Sequence, residues 1–345
     1  MNRNTLRAAA CALSFGMFCA AGAADAPAET MPPALARAVT EQTLGLVESK
    51  GVYPRRQEDY AQAKRELLAA VDGKTADVDR ADLYARIRKL LETLDSGGHT
   101  FLFPPRAPGQ PLLPPPPAPR APAFQLVPTS HGTVLRWVPP AITDAEPAAM
   151  TAYVRGVYDE AAAQPDIGRA CALVVDLSEQ TGGMAWPPFI AMYPLFGKDN
   201  KARWVDREGK PIPFVDRTAL AAMAASHVGD RANPLAAFAT GPLAVLVGAR
   251  TASAGEMLLV ALMGEARVRT FGQTSYGMST VNQMHVLPDG GTLLLTQMRY
   301  ALAGGPVFRG GIAPMQPAAA GAAWDANVRT AAEWAAASSP RCTSR

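Results

Sequence analysis

The sequence predicts an α/β protein in which a mixed β-sheet core follows a small N-terminal helical cap. Apolar residues recur at helical intervals between Pro33 and Leu94. A proline-dense stretch then breaks the pattern, and from Ala123 onward short apolar runs alternate with helical stretches. That alternation is the mark of a sheet with helices packed on it.

In order, Leu35, Val39, Leu44 and Val47 share one helical face, as do Tyr60, Leu67, Leu68 and Val71. Leu83, Ile87, Leu90, Leu91 and Leu94 mark a third helix over 82–94, so residues 24–103 read as the cap. Residues 104–123 hold ten prolines in twenty positions, which neither a helix nor a central strand accepts. Residues 104–122 therefore read as an extended spacer through which the cap would gate access to the core. The core, 123–345, is of ordinary size for one domain. Its expected strands are 132–138, 172–177, 243–248, 268–271, 283–287 and 292–298, with Pro288-Asp-Gly-Gly291 as a turn and a helix over 148–163. The runs Ala172-Leu-Val-Val-Asp-Leu177 and Leu243-Ala-Val-Leu-Val-Gly248 are apolar without alternation, as in strands buried on both faces.

Arg3 and Arg7 precede the apolar stretch 8–20 and the small residues Ala21-Gly22-Ala23, the layout of a Sec-type signal peptide over 1–23 cleaved near Ala23. Gly16-Met17-Phe18 lacks the small residue that lipid attachment at Cys19 needs. The expected location is periplasmic or secreted. No later run is long enough to span a membrane. Beyond the signal, 31 basic residues face 30 acidic ones, a balance that gives no support to nucleic acid as a partner. Cys171 and Cys342 remain there. They could pair in an oxidising compartment, or Cys171 could be a small buried residue and Cys342 loose in a polar tail. No Cys/His cluster has metal-ligand spacing, and no metal or other cofactor is expected.

Three segments could carry chemistry: Leu94-Asp-Ser-Gly-Gly-His-Thr100, Asp176-Leu-Ser-Glu-Gln-Thr-Gly-Gly183, and Arg250-Thr-Ala-Ser-Ala-Gly-Glu256. Ser253, between an apolar strand and an apolar helix, suits a nucleophile exposed at a sheet edge. With Glu256 three residues later, it equally suits a capping box. His99 could supply a base and the glycines a backbone donor loop.

In this order the segments resemble the tail-specific (C-terminal processing) serine peptidases and their relatives, which include the tricorn core protease. That family carries x-L-V-x-D-L-R-x-N-x-G-G, then T-A-S-[AS]-x-E, then L-P-D-G and G-G-x-I-x-P-D. The corresponding residues are Ala172 to Gly183, Thr251 to Glu256, Leu287 to Gly290, and Gly310 to Pro314. Trp186-Pro187 and Pro194-Leu-Phe-Gly197 look like those of bacterial members without a PDZ insert. The resemblance covers roughly residues 90–315 and implies a ClpP/crotonase-like core. It also implies Ser253 as nucleophile, with oxyanion-hole amides on Ala254 and on Gly182 or Gly183.

The family's lysine base, 25 residues after the serine, is replaced by Met278, which cannot take a proton, and the terminal Pro-Asp by Pro314-Met315. The tricorn-like branch uses a histidine from earlier in the chain, and Gly98-His99-Thr100 matches a G-H-[ST] loop of bacterial relatives, so His99 is the expected base. Glu256 is either a third catalytic member or the capping partner of Ser253. Asn282 could orient the imidazole or make a strand-end hydrogen bond. His131, His227 and His285 are assigned no chemistry. The expectation is an exported serine peptidase acting on a peptide or protein. The competing readings are a non-catalytic peptide- or ligand-binding protein on the same fold, and a serine esterase or amidase.

Overall fold

The computed structural model describes residues 30–105, 123–144, 146–164 and 166–343. The predicted signal peptide and residues 106–122 of the predicted spacer lie outside the described residues.

Helices α1 (Pro33–Lys50), α2 (Gln57–Ala69) and α3 (Arg80–Glu92) form the N-terminal part, followed by the short strand β1 (Phe101–Phe103). The Asp79 side chain caps α3 by accepting from the Asp82 N–H. The core continues with β2 (Ala123–Thr129), β3 (Gly132–Val138), α4 (Pro147–Ala162) and β4 (Ala172–Asp176). Next come α5 (Trp186–Ala191), β5 (Ala202–Val205), β6 (Pro211–Pro213), α6 (Arg217–Val228) and β7 (Leu243–Val247). The chain then runs through α7 (Ala254–Met263), β8 (Val268–Gly272), β9 (Thr280–Val286), β10 (Thr292–Leu302) and β11 (Gln316–Pro317). It ends in α8 (Trp324–Ser338) and α9 (Pro340–Thr343).

The main sheet has the order β11-β8-β7-β4-β3-β2, parallel except for β2, which pairs antiparallel with β3. Every residue of β4 and β7 is buried. Alternate residues divide between two faces. Leu173, Val175, Val245 and Val247 face a cluster with α4 and α7, while Ala172, Val174, Ala244 and Leu246 face α8. Ala331, Ala332, Ala335 and Ala336 bring α8 against the sheet without bulky side chains. That helix is absent from the sequence reading, because alanine gives little apolar contrast around a helix. Strand β2 was missed as well; it tolerates Pro128 because it is an edge strand.

A second, antiparallel sheet runs β9-β10-β5-β6, and β1 also pairs with β10. β10 starts among cap residues, where Leu293 and Leu295 pack in one cluster with Leu67, Leu83, Ile87 and Leu90. Its far end places Tyr300 in the main core. The turn between β9 and β10 is latched to the cap, since Tyr84 Oη donates to Asp289 Oδ2 at 2.9 Å. A Cβ on Gly291 would lie 1.9 Å from that hydroxyl, which explains the second glycine of the Pro-Asp-Gly-Gly turn.

Cys171 and Cys342 form a disulfide with Cα atoms 5.0 Å apart, closing the open choice in favour of pairing. It ties α9 to the residue preceding β4. Replacing both cysteines by alanine is expected to cost about 2–5 kcal/mol of unfolding free energy, because the bridge closes a long loop. Denaturant melts of the double variant beside the parent measure it. An unchanged midpoint would mean that α8 and α9 dock without help from the bridge.

Candidate active site

The Ser253 turn lies at the carboxyl edge of the main sheet, where β7 passes into α7. Almost every α7 residue is buried, so this helix is apolar all round instead of striped, as a central helix should be. The turn is tied to the loop after β4 at several points. Thr251 Oγ1 donates to the Leu177 carbonyl at 2.7 Å and accepts from the Gly248 N–H at 3.0 Å. The Ala252 N–H donates to the Gln180 carbonyl at 3.0 Å. A Cβ on Gly255 would come within 2.3 Å of that same carbonyl, so the contact requires glycine.

Ser253 is the N-cap of α7, with φ 51° and ψ −112°, the one non-glycine residue at positive φ among the described residues. Backbone strain of this kind costs about 1–3 kcal/mol and persists where surrounding contacts impose it. Here they are the Gln180 carbonyl before the serine and Glu256 after it. The Ser253 N–H donates to Glu256 Oε2 at 3.1 Å, within a capping-box arrangement. The N-cap of α7 is thus the serine that the sequence offers as a candidate nucleophile.

The two glycines that the sequence groups together do different things. A Cβ on Gly182 (φ 118°) would lie 3.1 Å from Ser253 Cβ and 3.7 Å from its Oγ, so this glycine abuts Ser253. Gly183 bridges to Ile142 instead, and a Cβ there would fall 2.1 Å from the Ile142 carbonyl oxygen. Ala254 opens the first turn of α7, where helix N–H groups have no intrahelical partner. Changing Gly182 to alanine strains the backbone and crowds Ser253. If Ser253 is the nucleophile expected from the sequence, hydrolysis should fall by about a hundredfold, the scale of misplacing a reacting group by about 1 Å. Initial rates on a common substrate measure this, and a rate within threefold of the parent would mean that the close fit of Gly182 against Ser253 is not needed.

Glu256 is fully buried beneath the turn. Its Oε1 accepts from Ser275 Oγ at 2.6 Å and from the Gly277 N–H at 2.9 Å. Burial pushes its carboxyl up to about 7 against the pull of these donors. Among the described residues no hydrogen bond joins Glu256 to His99. The carboxyl instead clamps the Ser253 turn to the segment 275–277, and Ser275 passes the link to Gly311-Ile312, since the Ile312 N–H donates to Ser275 Oγ at 2.7 Å.

His99 reaches the same segment from the cap side. A Cβ on Gly97 would meet the Gly277 carbonyl at 3.2 Å, and His99 Nδ1 lies 2.7 Å from Thr280 Oγ1. Asn282 Nδ2 donates to the His99 carbonyl at 2.7 Å, and Thr296 Oγ1 donates to Asn282 Oδ1 at 2.8 Å. Asn282 therefore holds the main chain of His99, not its ring. A register shift of β9 on β10 falls between Val281 and Asn282, beside the two residues that touch His99; such bulges re-aim side chains. The loop is also pinned by Asp95, whose Oδ2 meets Arg299 at 2.6 Å and Arg309 at 2.9 Å. His99 is 6 % exposed, and burial lowers its pKa to about 4, so the ring is neutral near pH 7.

The Ser253 turn, through Thr251 and Glu256, and His99, through Thr280, are thus both tied to the segment 275–280, although no hydrogen bond joins Ser253 Oγ to the imidazole among the described residues. Met278 lies in that segment, half-buried, with its carbonyl accepting from the Thr280 N–H at 2.9 Å. The remaining histidines are engaged elsewhere or exposed. His227, in the last turn of α6, meets Thr151, and His285 meets Gln297, while His131 lies exposed in its turn. Sequence reasoning missed Thr280, Ser275, Gln180 and Thr251. Thr251 stands in the quoted T-A-S segment, but a threonine latch to Leu177 has no one-dimensional signal.

Residues 148–316 match the sequence profile of Peptidase family S41. The chain is similar to the nisin-resistance protein of Lactococcus lactis subsp. lactis, 28% identical over 126 residues, or 36% of this chain and 38% of that one. The matches span well under half the length of the curated relatives. Among solved structures, a lipoprotein from Streptococcus agalactiae aligns with TM-score 0.64 and 18% identity, covering 90% of this chain and 99% of that one. The photosystem II D1 C-terminal processing protease aligns with TM-score 0.51 and 16% identity, covering 89% of this chain and 99% of that one. At these identities the structural likeness establishes the fold: a mixed-sheet peptidase core. The expected kinship therefore holds: the stretch that contains Ser253, Gly182 and Glu256 carries the pattern of family S41, to which the tail-specific peptidases belong.

Proposed function

We propose that this protein is an exported serine-type peptidase that cleaves peptide bonds through an acyl-enzyme on Ser253, with His99 as general base. The observation that carries the reading is Ser253 itself. It is a non-glycine residue held at φ 51° on a helix N-terminus, with Gly182 against its Cβ. The family match over 148–316 supports peptide hydrolysis as the chemistry.

In this mechanism the imidazole takes the Ser253 hydroxyl proton as Oγ bonds to the substrate carbonyl carbon. The oxyanion is held by the Ala254 N–H and a donor from the Gly182-Gly183 loop, of which Gly182 is the nearer to Ser253. Collapse breaks the C–N bond, the imidazolium returns its proton to the departing amine, and water then hydrolyses the ester. Burial lowers the His99 pKa, so the ring is neutral and free to accept a proton near pH 7, though as a weaker base than an ordinary imidazole. The role of Glu256 is to hold the Ser253 turn by its backbone N–H, not to relay charge to the imidazole.

Export rests on the N-terminal charge and apolar pattern, and the disulfide suits an oxidising compartment. Among the described residues no helix is long and apolar enough to cross a membrane. The test is a fluorophosphonate probe on the folded protein, followed by peptide mapping. One adduct on the peptide containing Ser253 is expected. No adduct on folded protein would leave a binding module as the surviving reading, and faster turnover of small esters than of peptides would favour the esterase.

A further inference from the structure

Resting on the peptidase reading, we infer that Thr280 is the positioning residue of His99, filling with a neutral hydroxyl the place at Nδ1 that a carboxylate takes in the Ser-His-Asp arrangement. Thr280 Oγ1 lies 2.7 Å from His99 Nδ1, and both residues are buried, at 3 % and 6 % exposure. Among the described residues no carboxylate is hydrogen-bonded to either ring nitrogen. Glu256 is committed to Ser253, Ser275 and Gly277, and Asp95 to Arg299 and Arg309.

A contact at Nδ1 leaves Nε2 as the nitrogen that can exchange a proton with Ser253. A neutral imidazole has one N–H, and its hydrogen bonds decide which nitrogen carries it. When Nδ1–H donates to Thr280 Oγ1, Nε2 is bare and can accept the serine proton. In the imidazolium both nitrogens carry protons, so the hydroxyl can then only accept, and it serves the charged state directly. Threonine suits this duty because its χ1 is stiff and it begins strand β9, whose next hydrogen-bonding contact, at Asn282, fixes the His99 main chain. Ring and backbone of His99 are therefore both held from one strand, which makes β9 the template for the base.

The test compares Thr280→Val, which keeps the shape and loses the hydroxyl, with Thr280→Ser, which keeps the hydroxyl. Fluorophosphonate labelling and kcat should fall about tenfold to a hundredfold in T280V, with KM little changed, and return to within about threefold in T280S. Thermal melts of both variants confirm that they fold. Because the chain has only four histidines, ring 15N labelling resolves His99. The parent should show Nδ1 protonated and Nε2 bare, and T280V a mixture of tautomers. Wild-type kinetics in folded T280V would overturn the assignment, as would a parent ring protonated at Nε2. If T280V fails to fold, the parent tautomer and T280S kinetics decide. Failure of the peptidase reading is separate, since it appears as an unlabelled parent protein.

Discussion

Ser253→Ala should remove hydrolysis and probe labelling together, with a fall in kcat on the order of a millionfold, the scale on which an acyl-transfer enzyme loses its nucleophile. The variant should fold normally. Alanine is no worse than serine at φ 51°, and the bond from the residue 253 N–H to Glu256 uses the backbone and survives the change. Substrate should still bind, because Gly182 and Gly183 beside residue 253 are untouched. The measurement is single-turnover hydrolysis beside a thermal melt. Turnover within a hundredfold of the parent would move the nucleophile to another residue.

His99→Ala is expected to come close to that loss, because serine and its base act as a unit whose separate removal costs nearly the same. Its second readout is pH. The His99 pKa is lowered to about 4 by burial, so the neutral, proton-accepting form prevails above that value. The rate should rise through about pH 4 and then stay flat to neutrality, with no step near 6.5. Retained activity after His99→Ala, or a parent profile whose acid limb survives that change, refutes the base. The same burial acts on stability, where it opposes Glu256. For His99 the unfolded chain takes the proton first, so stability falls as pH drops from 6.5 to about 4. For Glu256, raised to about 7 from 4.5, the folded chain holds the proton longer, so stability falls as pH rises across that interval. The two windows overlap, and their slopes partly cancel between them.

Much of this site was legible in one dimension. The strands 172–177 and 243–248 are continuous apolar runs, and Ser253 between such a strand and an apolar helix follows from their order. The glycine pair was legible as a pair, but not its division into one glycine against Ser253 and one against Ile142. That division depends on which neighbour each Cβ would meet. Glu256 and Asn282 were each left with two readings, because an acid or an amide near a catalytic residue says nothing of where its side chain turns. In the structure one holds the Ser253 N–H and the other the His99 carbonyl. Thr280 was passed over because a threonine in a strand is ordinary, and only the fold puts it against the ring of a residue 181 positions away.

The long strand β10 carries a consequence for control. Its first half belongs to the cap's apolar cluster and its second half to the main core, while His99 arrives from the cap and Ser253 from the core. The proposed pair is thus divided between two apolar clusters that share one strand. Fraying of the cap would carry the base away while the serine stayed rigid in its turn. Activity would then vanish at the lower free energy of a partial opening, before global unfolding. On the proposed mechanism, a molecule whose N-terminal helices have loosened would lose its base before it lost its fold.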